Sequence, residues 1–292
     1  MISQLVANAL IAASHLALLS VGFGLIYGCG RFFHFAHGAI FAFGGYTAFL
    51  LVQLLSMPAW FAFSAAPLIA AGLGAVLELV AYRPLRVRGA TGLVMLIASM
   101  GAYIVIQHAL ALGFGDDTKR IQWKPSIMPI EILGGRLTGL QVTTIALSVV
   151  VLGVLCAILH WTRYGKLLRA VADNPELAII IGIDSAHVLL AASVIGSFLA
   201  GIAGLLFALE VNLTPTMGMT PLLLAVVAVI VGGIGSRSGT ILASIAIGVL
   251  QQAAVWVLSS EWQEAVVYAL LLALLLIRPE GLARRRPAKW SL

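Results

Sequence analysis

The chain has 292 residues, of which 61% are hydrophobic and only 10% are charged, so its composition excludes an ordinary soluble domain and is typical of a polytopic membrane protein. Its formal net charge of +6 requires no nucleic-acid partner, because basic residues gather in the cytoplasmic loops of membrane proteins. A membrane span takes about 20 apolar residues. Long apolar runs cover about residues 5–28, 38–56, 60–81, 91–113, 139–160, 187–210 and 239–258, and shorter runs cover about 221–234 and 263–277.

These runs predict an all-α, polytopic integral membrane protein with about eight to ten transmembrane or partly re-entrant helices in a single domain, residues 1–292. Basic clusters at 83–88, 163–169 and 278–289 mark the cytoplasmic side. The loop 114–138 carries both signs of charge and is placed outside. Nine crossings satisfy these positions if the N-terminus lies outside, whereas eight crossings require one short segment to be re-entrant.

Two glycine-rich clusters interrupt apolar runs, one in each half of the chain. The first extends from Gly28 to Gly45, and the second extends from Pro215 to Gly239. Interrupted segments in corresponding halves favour a translocation path built from discontinuous helices. The alternative is that both clusters form ordinary turns between helices, which glycine makes easy.

The first cluster contains His34 and His37, whose spacing allows them to share a helix face. Two histidines without a nearby carboxylate or cysteine make a poor metal site, so we predict no metal and no cofactor. The favoured role for such a histidine is a hydrogen bond to nearby backbone that shapes the turn. Cys29 and Cys156 lie within apolar runs and are interpreted as small buried hydrophobic residues.

Few ionisable or amide side chains lie within the apolar runs. Glu78 is predicted to pair with a basic residue at the cytoplasmic face. Glu210 ends a run at the outer side, where it either lines an outer mouth or sits at the interface. Gln107 and Gln252 lie deep within their runs, where hydrogen bonds between helices are favoured over contact with a substrate.

The stretch from Trp161 to His187 is a polar island between two apolar runs. Asp173 or Asn174 can cap a helix that has Pro175 at its first position, because the N–H that proline lacks would be unpaired there. Gly182 can end this helix in a left-handed turn. The stretch therefore predicts a helix of about two turns.

This short helix carries unusually many apolar side chains for a solvated loop, namely Leu177, Ile179, Ile180 and Ile181. Glu176 complements the positive end of its dipole. One interpretation is a docking helix for a partner protein. The other is a cytoplasmic loop whose isoleucines lie on the membrane or on the core of the same chain.

The motifs of soluble enzymes are absent from the sequence. There is no G-x-x-x-x-G-K-[ST] loop for nucleotide phosphates, no H-E-x-x-H and no G-x-S-x-G. Gly233, Gly235 and Gly239 have the wrong spacing for a dinucleotide loop and join two apolar runs. We therefore predict that the chain is not an enzyme.

Five passages, in order along residues 20–283, resemble the LivH-type permease subunits of branched-chain amino acid ABC importers. The family has Asn-Phe-Ala-His-Gly where this chain has His34 before Phe35–Gly38, and it has a Gly-Gly-Ile-Gly-Ser turn and a Pro-x-Gly-Leu ending. The passages are Gly22–Gly28 with Phe35–Gly38, Glu78–Arg86, Tyr164–Asp184, Val231–Ser236 and Arg278–Leu282.

The resemblance implies a multi-pass subunit in the cell inner membrane that works with a second related permease, two cytosolic ATPases and a periplasmic substrate-binding protein. ATP would be hydrolysed by those partners. Leucine, isoleucine and valine are the implied cargo, and the alternatives are urea, short amides or other amino acids. An ion-coupled secondary transporter and a structural or receptor subunit are the rival classes.

The resemblance also assigns roles to residues. The polar island becomes a cytoplasmic coupling loop, residues 161–186, that contacts an ATPase. Its predicted coupling residues are Gly165, Lys166, Arg169, Asp173, Asn174, Pro175, Glu176, Ile180 and Gly182. The predicted translocation-path residues are Tyr27, His37, Gln107 and Gln252.

Overall fold

The computed structural model describes residues 2–122, 130–132 and 135–278, and the predicted Pro-x-Gly-Leu ending lies outside these residues. The described chain is almost entirely helical. Its helices are α1 (Ile2–Gly30), α2 (Ala36–Phe49), α3 (Ala59–Leu77), α4 (Arg83–Val87), α5 (Gly92–Phe114), α6 (Gly139–Trp161), α7 (Arg163–Asp173), α8 (Pro175–Ile180), α9 (Ser185–Glu210), α10 (Met219–Gly232), α11 (Arg237–Val257) and α12 (Gln263–Ile277).

Short irregular helical turns extend several of these helices. The π-helical turns Leu50–Leu54 and Glu78–Tyr82 continue α2 and α3, and the 3₁₀ turn Ser260–Trp262 precedes α12. With these extensions, eight helices in the described chain are long and apolar enough to cross a membrane. The prediction of an all-α polytopic membrane protein is therefore confirmed, with one small exception. Strands β1 (Ile130–Ile132) and β2 (Gly135–Leu137) form an antiparallel hairpin within the predicted outer loop.

The centre of the bundle is formed by α1 and α9, which pack on each other and on α2, α3, α10 and α11. Glycines allow these backbones to approach closely. A Cβ on Gly22 would lie 2.8 Å from the carbonyl oxygen of Gly196, and one on Gly44 would lie 2.7 Å from that of Gly201. Small residues at such crossings replace the hydrophobic driving force that is missing between helices in lipid.

One end of the bundle is rich in arginine, and we call it the basic end. Arg31 follows the last residue of α1 and bonds to Asp173 at the end of α7. Arg169 and Arg237 line one cavity beside the last turns of α1. The opposite end contains the bridge between Lys119 and Leu213, in which each backbone N–H donates to the other residue's carbonyl oxygen at 3.0 and 2.8 Å.

Helix α10 is too short to cross a bilayer, because its 14 residues span about 21 Å of the roughly 30 Å hydrocarbon core. The non-helical stretch 211–218 connects the end of α9 to the start of α10. It runs from the bridge at Leu213 along α2, where Met217 packs against Gly45, to Gly218 at the start of α10. Non-helical backbone is tolerated at membrane depth only where protein or a cavity surrounds it. Accordingly, Leu213 is fully buried.

Candidate functional site

The helix predicted within the polar island is present as α8, and residues directly next to it cap both of its ends. The side-chain Oδ1 of Asn174 accepts the N–H of Leu177 at 3.0 Å, and Pro175 occupies the first helical position. Asn174 is therefore the cap, whereas Asp173 is the last residue of α7. Gly182 ends the segment with φ +85°, a conformation that glycine adopts without a Cβ penalty.

Helix α7 holds α8 against the bundle. Thr162 caps α7 by accepting the N–H of Gly165 at 3.2 Å. Gly165 packs directly on the backbone of Leu159, where any Cβ would overlap it. Leu168 and Val171 are buried on the same face. The tight turn between α6 and α7 therefore fixes the position of α8. The role of Gly165 is to allow the close contact between α7 and the end of α6.

The apolar side chains of α8 point away from the rest of the described chain. Ile180 is 78% exposed, Leu177, Ile179 and Ile181 are also exposed, and only Ala178 is buried. The interpretation that the isoleucines cover the core of the same chain is therefore wrong. We call Leu177, Ile179, Ile180 and Ile181 the α8 surface. An exposed apolar patch of this kind marks a site of interaction.

Helix α9 begins just after this region with a second well-formed cap. The Asp184 carboxylate accepts the backbone N–H groups of Ala186 and His187, and its Oδ2 lies 2.6 Å from His187 Nδ1. The hydrogen bond with the His187 side chain is the main cause that lowers the pKa of Asp184. Asp184 therefore stays ionised at neutral pH and complements the positive end of the α9 dipole.

The two glycine-rich interruptions meet inside the bundle. A Cβ on Gly38 would lie 2.7 Å from the carbonyl oxygen of Gly218 and 3.0 Å from Cβ of Leu222, and a Cβ on Gly218 would overlap the carbonyl group of Gly38. We call this contact the glycine crossing. It joins the start of α2 to the start of α10, so the two interruptions are parts of one structural feature and are not independent surface turns.

An aromatic cluster lies beside the glycine crossing, towards the basic end. Tyr27 and Phe33 have ring centroids 4.9 Å apart, and Phe23 lies 6.1 Å from Tyr27 and 6.3 Å from Phe33. Phe23 is buried against Leu222 and Val229 of α10, whereas Tyr27 and Phe33 are only partly buried. We call Phe23, Tyr27 and Phe33 the aromatic cluster.

The four predicted path residues lie on four different helices, α1, α2, α5 and α11. Tyr27 belongs to the aromatic cluster, and His37 lies next to it with its ring centroid 6.1 Å from Phe23. Gln107 lies on α5, which packs on α2, and Gln252 lies on α11, which packs on α1, α10 and α12. Tyr27 and His37 both lie beside Phe23, and the assignment of all four residues to the path stays a prediction.

His37 makes a hydrogen bond to backbone, as predicted, but the partner lies on α1 and not in the turn, so the contact joins α2 to α1. His37 is fully buried, and its Nε2 lies 3.1 Å from the carbonyl oxygen of Leu19 on α1. Nδ1 of its neighbour His34 lies 3.0 Å from the hydroxyl oxygen of Tyr82. Burial lowers the pKa of His34, and the nearby His37 lowers it further, so the neutral ring accepts a hydrogen bond from the Tyr82 hydroxyl. Among the described residues, no group of three or more His, Cys, Asp or Glu side chains could hold a metal ion.

The acidic residues at the span ends both have basic partners. The carboxylate of Glu78 accepts a hydrogen bond from Arg86, as predicted, and also one from the hydroxyl of Ser193 at 3.3 Å. Glu210 lies 3.1 Å from Nε2 of His15 on α1. The Ser193–Glu78 and His15–Glu210 contacts each connect two helices in the bundle, and so each acid has a structural role.

The buried pair gives a testable expectation for stability. Replacing Arg86 by Met leaves the carboxylate of Glu78, whose side chain is 3% exposed, without its cation, and removing one partner of a buried pair costs about 3–5 kcal/mol. We expect a clear fall in the thermal unfolding midpoint of the detergent-solubilised protein. The double variant Glu78→Gln with Arg86→Met should recover most of that loss. Equal midpoints for wild type and Arg86→Met would contradict this role.

The stretch Arg31–Phe35, which we call the α1–α2 turn, contains residues that sequence reasoning missed. The guanidinium of Arg31 donates to the carbonyl oxygen of Asp173 at 3.2 Å. The hydroxyl of Ser99 donates to the carbonyl oxygen of Phe33 and accepts the N–H of Phe35, both at 3.0 Å. These partners are distant in sequence, and no local pattern signals them.

Comparison with known proteins places the chain in a family. The model of the family "Branched-chain amino acid transport system / permease component" matches residues 5–275. The chain belongs to this family. The resemblance noted in the sequence is thereby confirmed.

Named relatives cover nearly the whole chain. The high-affinity branched-chain amino acid transport system permease protein BraD of Pseudomonas aeruginosa is 30% identical, over 97% of this chain and 95% of the relative. The corresponding protein LivH of Salmonella typhimurium is 29% identical, over 95% of this chain and 94% of the relative. A chain in the structure of PsaBC from Streptococcus pneumoniae in complex with Fab has a TM-score of 0.52 and 13% identity, over 94% of this chain and 91% of that chain, and so supports the fold alone.

Proposed function

We propose that this chain is a permease subunit of an ATP-driven ABC importer in the cell inner membrane and that it carries leucine, isoleucine and valine. The observation that carries the proposal is the α8 surface, an apolar patch presented by a rigidly docked, well-capped helix at the basic end. The names of the BraD and LivH relatives support the cargo. The basic end faces the cytoplasm, because arginine and lysine mark that side of membrane proteins.

The implied assembly contains a second related permease, two cytosolic ATPases and a periplasmic binding protein. The α8 surface inserts into a groove on an ATPase, and the basic side chains of Lys166 and Arg169 steer the encounter. ATP-driven closure of the ATPases moves α8, and the attached helices α6, α7 and α9 pass this displacement to the bundle. The chain itself hydrolyses no ATP and needs no cofactor.

The translocation path follows the glycine crossing and the aromatic cluster. Half-buried Tyr27 and Phe33 offer an apolar surface suited to a branched aliphatic side chain. Weak contacts are sufficient, because tight binding along a path slows release. Selection among amino acids then rests largely with the binding protein.

The test is uptake of labelled leucine into proteoliposomes that contain this chain with its partner permease and ATPases, with ATP inside and the binding protein outside. We expect uptake that requires both ATP and the binding protein. Competition by unlabelled isoleucine and valine, but not by urea or short amides, would establish the cargo.

Other results would redirect the proposal. Binding-protein-stimulated ATP hydrolysis without leucine uptake would retain the importer and reject the branched-chain cargo in favour of urea, amides or other amino acids. Uptake driven by an ion gradient without ATP would establish a secondary transporter. A complex that supports neither uptake nor ATP hydrolysis would favour a structural or receptor subunit.

A further inference from the structure

Arg31 occupies a backbone conformation that disfavours side chains. Its φ is +54°, and in the described chain only one other non-glycine residue, Ser56, has a positive φ. Residues with a Cβ are strained in this region, whereas glycine occupies it freely. Such strain persists where the surroundings impose it, and it is concentrated at functional sites. The position therefore carries an arginine although glycine would fit the backbone better.

The side chain of Arg31 connects the α1–α2 turn to the region that bears the α8 surface. Its guanidinium donates to the carbonyl oxygen of Asp173, the last residue of α7, at 3.2 Å. Carbonyl groups in the last turn of a helix lack partners within that helix, and a cation is favoured there. Asn174, the next residue, caps α8. Arg31 therefore binds the junction between α7 and α8.

The rest of the α1–α2 turn contacts the interior of the bundle. Phe33, two residues after Arg31, packs on Tyr27 with ring centroids 4.9 Å apart. The hydroxyl of Ser99 on α5 forms hydrogen bonds with the backbone of Phe33 and Phe35. The hydroxyl of Tyr82 forms one with the ring of His34. One five-residue turn thus joins the junction between α7 and α8 to the aromatic cluster and to two neighbouring helices.

We infer that Arg31 is a positioning residue that couples movement of α8 to the aromatic cluster. In this inference, Tyr27 and Phe33 form an apolar gate near the basic end of the translocation path. A displacement of the α7–α8 junction moves Arg31, and the turn carries that displacement to Phe33. The hydrogen bond lies in an exposed position, where water competes for both groups and limits its contribution to stability. In this inference, the bond transmits movement. The inference rests on the proposed function.

The test compares Arg31→Gly, Arg31→Lys and Arg88→Gly in the full transporter complex in proteoliposomes. Arg88 is an exposed arginine beyond α4, close to the basic end, and serves as the matched control. Both leucine uptake and ATP hydrolysis are measured. For Arg31→Gly we expect ATP hydrolysis near the wild-type rate but uptake per ATP lower by about fivefold or more, the lower limit usual for coupled sites.

Further readouts separate coupling from stability. The thermal unfolding midpoint of Arg31→Gly should equal or exceed that of wild type, because glycine relieves the strain at this position. Arg31→Lys should retain most of the uptake per ATP, since its ammonium group can donate to the same carbonyl, and Arg88→Gly should match wild type.

Two results would overturn the inference. If Arg31→Gly shows wild-type uptake per ATP, the inference is wrong but the proposed function stands. A parallel loss of uptake and ATP hydrolysis would also overturn the inference, because it would indicate damaged assembly. Absence of ATP-dependent uptake in the wild-type complex would instead overturn the proposed function, and this inference with it.

Discussion

Replacing Ile180 by Asp is expected to abolish ATP-dependent uptake while leaving the protein folded in the membrane. Ile180 is 78% exposed on α8, so the substitution removes little contact from the folded chain. Burying this side chain in an ATPase groove would contribute about 2 kcal/mol, and an unpaired carboxylate buried there costs more. Because each 1.4 kcal/mol changes affinity about tenfold, binding of the ATPase should fall by more than about a hundredfold.

The measurement is leucine uptake in proteoliposomes, together with co-purification of the ATPases with the permease. Val87→Asp is the matched control, because Val87 is 82% exposed near the same end of the bundle but lies outside α7 and α8. The control should retain uptake and ATPase binding. Wild-type uptake by Ile180→Asp would contradict the assignment of the α8 surface as the coupling surface.

Replacing Gly218 by Ala is expected to destabilise the protein and to eliminate uptake. The added Cβ would overlap the backbone carbonyl of Gly38, and both sides of this contact are backbone that cannot rotate away. Overpacking of a core typically costs about 1–3 kcal/mol, and separation of the glycine crossing would also displace α10 from the aromatic cluster. The thermal unfolding midpoint in detergent and the uptake rate should both fall.

Gly101→Ala provides the matched control for this prediction. Gly101 lies in the interior of α5, and a Cβ there meets no other atom within 4 Å. Since alanine favours a helix interior over glycine by about 1 kcal/mol, the control should be neutral or slightly stabilising. If Gly218→Ala unfolds at the wild-type midpoint with full uptake, close backbone contact at the glycine crossing is not required.

Local features of the chain were open to prediction from the sequence. Apolar runs of the right length predicted the helices, because burial in lipid depends on composition within one segment. Asn174, Pro175 and Gly182 predicted α8, since each acts on backbone groups within a few residues. The pairing of Glu78 with a basic residue was also foreseen, because Arg86 lies only eight positions away.

Long-range contacts were decided by the tertiary structure alone. The sequence pointed to two interruptions, but nothing in it indicated that Gly38 and Gly218 touch across 180 positions. The same holds for His15 with Glu210 and for Arg31 with Asp173, which lie 195 and 142 positions apart. Gln107 and Gln252 are polar side chains deep within apolar runs, but the sequence did not indicate which helices pack beside theirs, α5 and α11.

The physical reason is the difference between local and global determinants. Hydrophobic length, capping and turn chemistry act over one or two helical turns, so the sequence by itself determined the membrane class, the helices and the presence of a short apolar helix between α7 and α9. The exposure of that helix was decided by the tertiary structure. Which glycine faces which backbone, and which arginine reaches the end of α7, depends on how the helices cross. Those crossings follow from the packing of the whole bundle, and only the tertiary structure decided them.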